Sequence, residues 1–219
     1  EYIQDNLKIL EKHDPENKIG FYVDEWGTWY DVSEGNPGFL YQQNSLRDAL
    51  VASLNFNIFH KYAERVQMTI VAQMVNVLQA MILTDKEKML LTPTYHAFKM
   101  YIPFQDAAFL PIEVEGSQYY KFEKERISKI SASSAIATNG DLHVAITNTN
   151  PHASERINLK SNSLLSSAEG SILTHDKMDA HNTFENPDAI SPKSFSATAE
   201  GGQIKFELPP KSIVVLKLN

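Results

Sequence analysis

Residues 19–30 read IGFYVDEWGTWY, and the order of residue types within them decides how the first half of the chain is read. Ile19 to Val23 form a short apolar run of the kind that a fully buried parallel strand requires. Asp24 and Glu25 follow without a transition. In folds that alternate strands and helices, ligands bind outside the carboxyl ends of the strands, and the two acids fall at that end. Side chains alternate along a strand, so Asp24 and Glu25 are expected to point in different directions and not to form a mutual pair. One can face a site while the other holds the loops. Trp26, Trp29 and Tyr30 add flat, amphipathic faces beside them. A carboxylate among aromatic rings suits a sugar: the rings pack against C–H faces, and the carboxylate attacks or stabilises a carbon of oxocarbenium character. From spacing alone the structural alternative is favoured, because acids at strand ends also serve as loop residues or helix caps and tryptophan is often simple core.

Working outward, residues 2–12 place Ile3, Leu7 and Leu10 on one helix face, and Pro15 ends that helix. Residues 33–38, SEGNPG, read as a loop. Tyr41 to His60 read as a helix in which Leu46, Leu50 and Leu54 recur every four residues beside Ala49, Ser53 and Phe56. The long apolar stretch from Val66 opens as a second buried strand. Its end, with Val75, Leu78 and Ile82, is consistent with a helix. Gln73 and Asn76 interrupt this stretch, and burying an amide without partners costs about 1–3 kcal/mol. Each is therefore either a satisfied core amide or a contact to a substrate hydroxyl. Thr92 and Pro93 supply an N-cap and a first-turn proline for a helix through Met100.

The pattern changes around residues 104–111. Beyond it, Leu142, Val144 and Ile146 alternate, as do Ile204, Phe206 and Leu208, and then Val214, Leu216 and Leu218. Half-buried strands with the turn signal TNGD before Leu142 predict an antiparallel β-sandwich. AEGGQ reads as a hairpin turn, since no strand–loop–helix unit with a phosphate signature surrounds it. The polar segment 174–192 reads as an ordered loop or crossover.

Composition bounds the function classes. The 219 residues include 42% apolar and 21% charged residues, with a net charge of −7, a balance that suits a soluble globular chain and speaks against nucleic acid as a partner. The Lys121 to Lys129 stretch alternates with Glu and reads as a solvated face. There is no cysteine, which excludes disulfide and thiolate-metal scaffolds. His175, Asp176, Asp179 and His181 lie close in sequence but lack metal-ligand spacing, so no metal site is assigned. No apolar run is long enough to cross a bilayer, and no membrane partner is expected. The compartment stays open between cytoplasm and a secreted or periplasmic location.

Several motifs in one order carry a resemblance: VDEWGTWYD (23–31), GFLYQQNSLRDALVASLNFNIFHKYAERVQM (38–68), AQMVNVLQAMI (72–82), LLTPTYHAFKMY (90–101) and DAHNTFENPDAI (179–190). Together they resemble alpha-L-arabinofuranosidases of glycoside hydrolase family 51, with the similarity weakest over residues 111–170. The resemblance implies α/β plus all-β architecture: the last part of a (β/α)8 barrel over residues 1–108, then a jelly-roll-like antiparallel β-sandwich over 109–219. Ile19 to Val23 would be strand seven, Tyr41 to His60 its helix, and Val66 to Gln73 strand eight.

The family's nucleophile falls on Glu25. Trp29 and Gln73 match sugar-site residues, and Asp24, Trp26, Tyr30 and Asn76 are expected in supporting roles. Members often carry Asn after the Trp of this motif, whereas here Gly27 and Thr28 follow. The implied reaction is retaining hydrolysis of terminal arabinofuranosyl groups on arabinan, arabinoxylan or arabino-oligosaccharides, without a cofactor. The family's acid/base glutamate lies in an Asn-Glu motif, and no Asn-Glu pair occurs in this sequence. The chain is therefore expected to be a portion of a longer enzyme, inactive alone, with the N-terminal part of that protein and a homo-oligomer as partners. Two alternatives stay open: a non-catalytic carbohydrate-binding or structural module, and a related glycosidase of different sugar specificity.

Overall fold

The computed structural model describes residues 2–31 and 40–219, so the SEGNPG loop lies outside the described residues. Helix α1 (Tyr2–His13) buries Leu7 and ends before Pro15, as its spacing predicts. At its end Asp14 and Arg65 are both buried. Arg65 donates to the Asp14 carboxylate, to Asp14 O (2.8 Å) and to Ile19 O (2.7 Å). The amide of Ile19 donates to Asp14 Oδ2 at 2.8 Å. That amide bond is the largest influence holding the Asp14 carboxyl below its ordinary pKa, and Arg65 adds to it.

Strand β1 (Phe21–Trp26) pairs in parallel with β2 (Val66–Val71), and α2 (Leu46–His60) connects them. Parallel pairing needs such a crossover. The strand starts two residues later than its apolar run and continues through both acids to Trp26. The expectation of a fully buried strand does not hold: Tyr22 is 54% exposed, Ile19 57%, and on β2 Met68 and Ile70 are 44% and 46% exposed. Helix α2 contacts this pair, and Phe21, Val23 and Trp26 pack into its core while the alternate residues face outward. Helix α2 itself begins at Leu46 and not at Tyr41. Ser45 is its N-cap with an extended backbone, and the Asp48 carboxylate accepts from the Ser45 amide at 2.7 Å, so the helix starts after Ser45.

After β2 the helix expected around Val75, Leu78 and Ile82 is absent. Asn76 and Leu78 have φ of 59° and 51°, values that a right-handed helix excludes. Asn76 instead clasps Thr84, donating to its hydroxyl at 2.8 Å and accepting from its amide at 2.7 Å. The chain then forms the hairpin β3 (Ile82–Asp85) and β4 (Lys88–Leu91). Helix α3 (Pro93–Met100) starts as its cap signal predicts: the Thr92 hydroxyl accepts from the Tyr95 amide at 3.3 Å. A short 3-10 turn, Ile102–Phe104, leads out of it.

The remainder is β. A sheet of eight strands, antiparallel throughout, takes in β5 (Ala108–Leu110), β8 (Ile130–Ile136), β9 (Leu142–Asn148), β10 (Glu155–Leu159), β11 (Ser167–Thr174), β12 (Lys193–Glu200), β13 (Gln203–Leu208) and β14 (Ser212–Leu218). Their order is β10-β13-β12-β11-β14-β9-β8-β5. An exposed hairpin, β6 (Tyr119–Phe122) and β7 (Glu125–Ser128), carries the Lys/Glu-rich stretch. Turns fall where predicted, at Asn139–Gly140 between β8 and β9 and at Gly201–Gly202 between β12 and β13.

The sheet curls, so that Ala132, Val144, Ile146, Ala168, Val214 and Leu216 share one core with Leu159, Ile204 and Leu208 from its far strands. Strand β13 keeps the expected one-sided alternation. Strands β9 and β14 do not. Ala145, Ile213 and Val215 point the other way and join Leu46, Leu50, Phe56 and Phe59 of α2 in a second core. The central strands are buried on both faces because α2 covers the outer one, and α2 is itself buried nearly all round, Ile58 being its one exposed residue.

Between α2 and the sheet lies a buried polar network. Tyr101 Oη donates to Asn57 Oδ1 (2.9 Å), which also accepts from Ser133 Oγ (3.0 Å). Ser53 Oγ bonds Tyr101 Oη at 2.9 Å and also Thr147 Oγ1. His60 Nδ1 meets Ser133 Oγ at 2.9 Å, with its ring stacked 4.8 Å from Phe104. Burial raises the Tyr101 phenol above its ordinary pKa and lowers His60 to about 4. The loop over residues 175–192 also ties the two regions. Its carbonyls at Ala180 and Met178 accept from the Leu46 and Arg47 amides at 2.9 and 3.0 Å, satisfying two donors that a helix N-terminus leaves free. No helix among the described residues is long and apolar enough to cross a membrane.

Candidate active site

Glu25 and Gln73 stand at the same end of the parallel pair. The last residue of β1, Trp26, is in register with Val71, and the Trp26 carbonyl accepts from the Ala72 amide at 3.0 Å. Gln73 follows across a cis Ala72–Gln73 peptide. Asp24, Glu25, Gln73 and Trp29 are all exposed, Trp29 at 66%. The pairing register shifts between Val23 and Trp26, so the two acids occupy an irregular stretch where a strand bends and re-aims its side chains.

The aromatic residues separate. Trp26 is half-buried, with its ring 5.6, 5.5 and 6.0 Å from Phe56, Phe59 and Phe98. It backs the strand end and does not face solvent, and its Nε1 is buried without a partner. Tyr30 lies at the rim with the Arg47 guanidinium carbon 3.7 Å over its ring, a cation–π contact. Asn76 is a satisfied amide through Thr84 and braces the start of the hairpin β3–β4. Gln73 is exposed, with its amide N–H on Val77 O at 3.4 Å.

The loop after Glu25 is fastened by three buried side chains that sequence reasoning did not single out. Gln79 Oε1 accepts from the Thr28 amide at 2.9 Å, and Gln79 Nε2 donates to Asp48 O at 2.8 Å. The Thr28 hydroxyl donates to Asp48 Oδ1 at 2.7 Å. Gln42 Nε2 donates to Thr28 O at 3.0 Å, and its Oε1 accepts from the Tyr30 amide at 2.8 Å. Two signals were present. Asp48 stands three residues after Ser45 in a capping arrangement, and Gln79 is an amide in an apolar run, like Gln73 and Asn76.

Cavities lie elsewhere. One of about 600 Å³ sits between α3 and the outer face of the sheet, lined by His96, Lys99, His143 and Lys217 among others. A second, lined by Phe59, His60, Val66 and Phe104, sits beside α2 and β2. Neither includes Glu25, Trp29 or Gln73, which stand on an open rim. Among the described residues no group of three or more His, Asp or Glu side chains is placed to hold a metal ion. His175 and His181 are turned to local main chain, His175 Nδ1 accepting from the Lys177 amide at 3.1 Å.

What this rim supplies is two exposed carboxylates at a strand end, an exposed aromatic ring and an amide at the neighbouring strand end. The alpha-L-arabinofuranosidase C-terminal domain family matches residues 24–212. An intracellular exo-alpha-L-arabinofuranosidase of Bacteroides ovatus is 41% identical, over 99% of this chain and 44% of that protein. Among solved structures, the GH51 arabinofuranosidase from Xanthomonas axonopodis pv. citri superposes with a TM-score of 0.95 at 46% identity, again over 99% of this chain and 44% of the other. An alpha-L-arabinofuranosidase from Thermotoga maritima, solved as an arabinose complex, shares the fold at a TM-score of 0.80 and 22% identity, over 100% of this chain and 48% of that one. The chain thus spans less than half the length of the relatives it matches.

Proposed function

The chain belongs to the alpha-L-arabinofuranosidase C-terminal domain family, a portion of glycoside hydrolase family 51, and from that premise we propose that it contributes the nucleophile and half of the sugar site of a retaining alpha-L-arabinofuranosidase. Residues 1–108 supply the closing strands and helices of a (β/α)8 barrel, and residues 109–219 a jelly-roll-like β-sandwich that buttresses them. The substrate is a terminal alpha-L-arabinofuranosyl group on an arabinan, arabinoxylan or arabino-oligosaccharide. The relatives' names support this sugar over a different one.

Glu25 attacks the anomeric carbon, displacing the leaving oxygen and forming a covalent glycosyl ester. A second carboxyl group protonates that oxygen and then takes a proton from the water that cleaves the ester. The two carboxyls work at about 5–5.5 Å in a retaining enzyme. No Asn-Glu pair occurs in this sequence, so the acid/base comes from the sequence that completes the barrel. Trp29 packs against the sugar's C–H face and Gln73 hydrogen-bonds a hydroxyl, with Asp24, Trp26, Tyr30 and Asn76 in support.

The observation that carries this reading is the placement of Glu25 and Gln73, both exposed, at the carboxyl end of two parallel strands joined by a helix. The test is turnover of an aryl alpha-L-arabinofuranoside by the enzyme that carries this chain. Glu25→Gln should lower kcat on the order of 10³-fold or more. Full activity in that variant removes Glu25 as nucleophile.

A further inference from the structure

We propose that Gln79, with Asp48 and Gln42, is a positioning device that sets the loop from Gly27 to Tyr30 and thereby the aim of Glu25 and the station of Trp29. The proposal rests on the reading of Glu25 given above.

All three side chains are buried, Gln79 and Asp48 at 0% exposure and Gln42 at 3%. Such groups stay buried only if their polar atoms are matched. Here the matching partners converge on one residue: the amide of Thr28 goes to Gln79, its carbonyl to Gln42 and its hydroxyl to Asp48. Every hydrogen-bonding group that Thr28 has is committed, three residues beyond Glu25. Gln79 also reaches both strand ends. Its own amide donates to Ala72 O at 3.1 Å, and the Ala72 amide donates to Trp26 O. Gln79 Nε2 continues to Asp48 O in the first turn of α2 and, at 3.4 Å, to Thr94 Oγ1 in the first turn of α3. Through its main-chain amide and its side chain together, Gln79 thus links the residue after β2 and the loop after β1 to the first turns of α2 and α3.

Gly27 belongs to the same device. Its φ is +139°, which disfavours any side chain. A Cβ built there would also lie 2.7 Å from Gln79 Oε1. Gly27 makes room for the Gln79 amide to approach the loop, and the amide then holds the loop that a glycine would leave free. Resemblance to the family marks Gly27 as a departure from the common Asn, and Gln79 accounts for how this chain accommodates it.

A positioning role differs from a scaffold role in what it moves. A misplacement of about 1 Å in reacting groups costs up to about a hundredfold in rate, with the fold intact. The test uses the enzyme that carries this chain, with Gln79→Met, which keeps shape and removes all three side-chain hydrogen bonds, and Thr28→Val, which removes only the bond to Asp48. In Gln79→Met the Thr28 amide should exchange its hydrogen at least about tenfold faster while the Val215 amide in β14 stays protected. At the same time kcat for an aryl arabinofuranoside should fall on the order of tenfold or more, per folded molecule. If Gln79→Met fails to fold, Thr28→Val decides by the same kcat readout. Unchanged kcat in a folded variant, or a Thr28 amide that stays protected in Gln79→Met, overturns the proposal. Glu25→Gln run in parallel separates the two claims: retained turnover there sinks the nucleophile reading, while the exchange measurement still reports on the loop.

Discussion

The carbonyl oxygen of Trp26 accepts a hydrogen bond from the amide of Ala72 at 3.0 Å. That one bond closes the carboxyl ends of β1 and β2 against each other, and it stands between Glu25 on one side and Gln73 on the other. A carboxylate and an amide 48 positions apart in the chain thereby stand at the same end of the parallel pair. Placement at this end of a parallel pair is what makes them candidates for chemistry on one sugar.

The two tryptophans should respond differently to substitution. Trp26 packs on Phe56, Phe59 and Phe98, so Trp26→Ala should destabilise the protein by about 3–5 kcal/mol. Trp29, 66% exposed, should cost little stability when replaced by Ala but raise KM about five- to tenfold through lost stacking. Thermal melts beside steady-state kinetics read both. Equal melting losses in the two variants would contradict the division.

Stability should fall with acid in a window set by His60. Its pKa is about 4 when folded, lowered by burial, against an ordinary 6.5. Between those values the unfolded chain binds the proton and the folded chain does not. Stability is therefore fully present above about pH 6.5 and declines at up to about 1.4 kcal/mol per pH unit toward pH 4, roughly 3 kcal/mol in all. His96 and His143 are lowered by burial as well and act in the same direction. His60→Gln, which keeps a polar partner for Ser133 without a titrating ring, should flatten the slope in denaturant melts between pH 4 and 6.5. An unaltered slope would exonerate His60.

Gly170 should not tolerate a side chain. It lies in β11 between β12 and β14, and a Cβ there would fall 2.0 Å from Val215 O. Neither neighbour can give way, since both are backbone in a paired ladder. Gly170→Ala should cost at least about 1–3 kcal/mol, measurable as a lowered Tm. Gly116→Ala is the control: nothing lies within 4 Å of its Cβ position, leaving only the cost of its φ of +68°.

Much of this was readable along the chain because the deciding interactions are local. Thr92 and Pro93 start α3 through one cap bond, TNGD closes β8 on β9, and Leu46, Ala49, Leu50, Ser53 and Phe56 fall on the buried side of α2. The failures share a different origin. Val75 to Ile82 carries apolar spacing that fits a helix, yet Asn76 bonds Thr84 and Gln79 is drawn into the space between both helix starts. Those partners lie on other elements. Strands β9 and β14 alternate like half-buried strands, but α2 covers their second face, and no pattern inside a seven-residue strand announces that cover. The candidate site divides in the same way. The place of Glu25 at a strand end was legible because an apolar run passes straight into acids, while its proposed role came from the family motif. The grip on Thr28 was not, because Gln42, Asp48 and Gln79 meet only in three dimensions.

The most direct test of the account is covalent. A retaining enzyme forms a glycosyl ester with its nucleophile, and an activated 2-fluoro-arabinofuranoside, which slows breakdown of that ester, should trap it in the enzyme that carries this chain. Peptide mass spectrometry should then place one sugar on Glu25, within the peptide that also holds Trp26 and Trp29. A sugar on any other residue, or turnover that inverts the anomeric centre and leaves no adduct, would contradict the assignment of Glu25 as nucleophile.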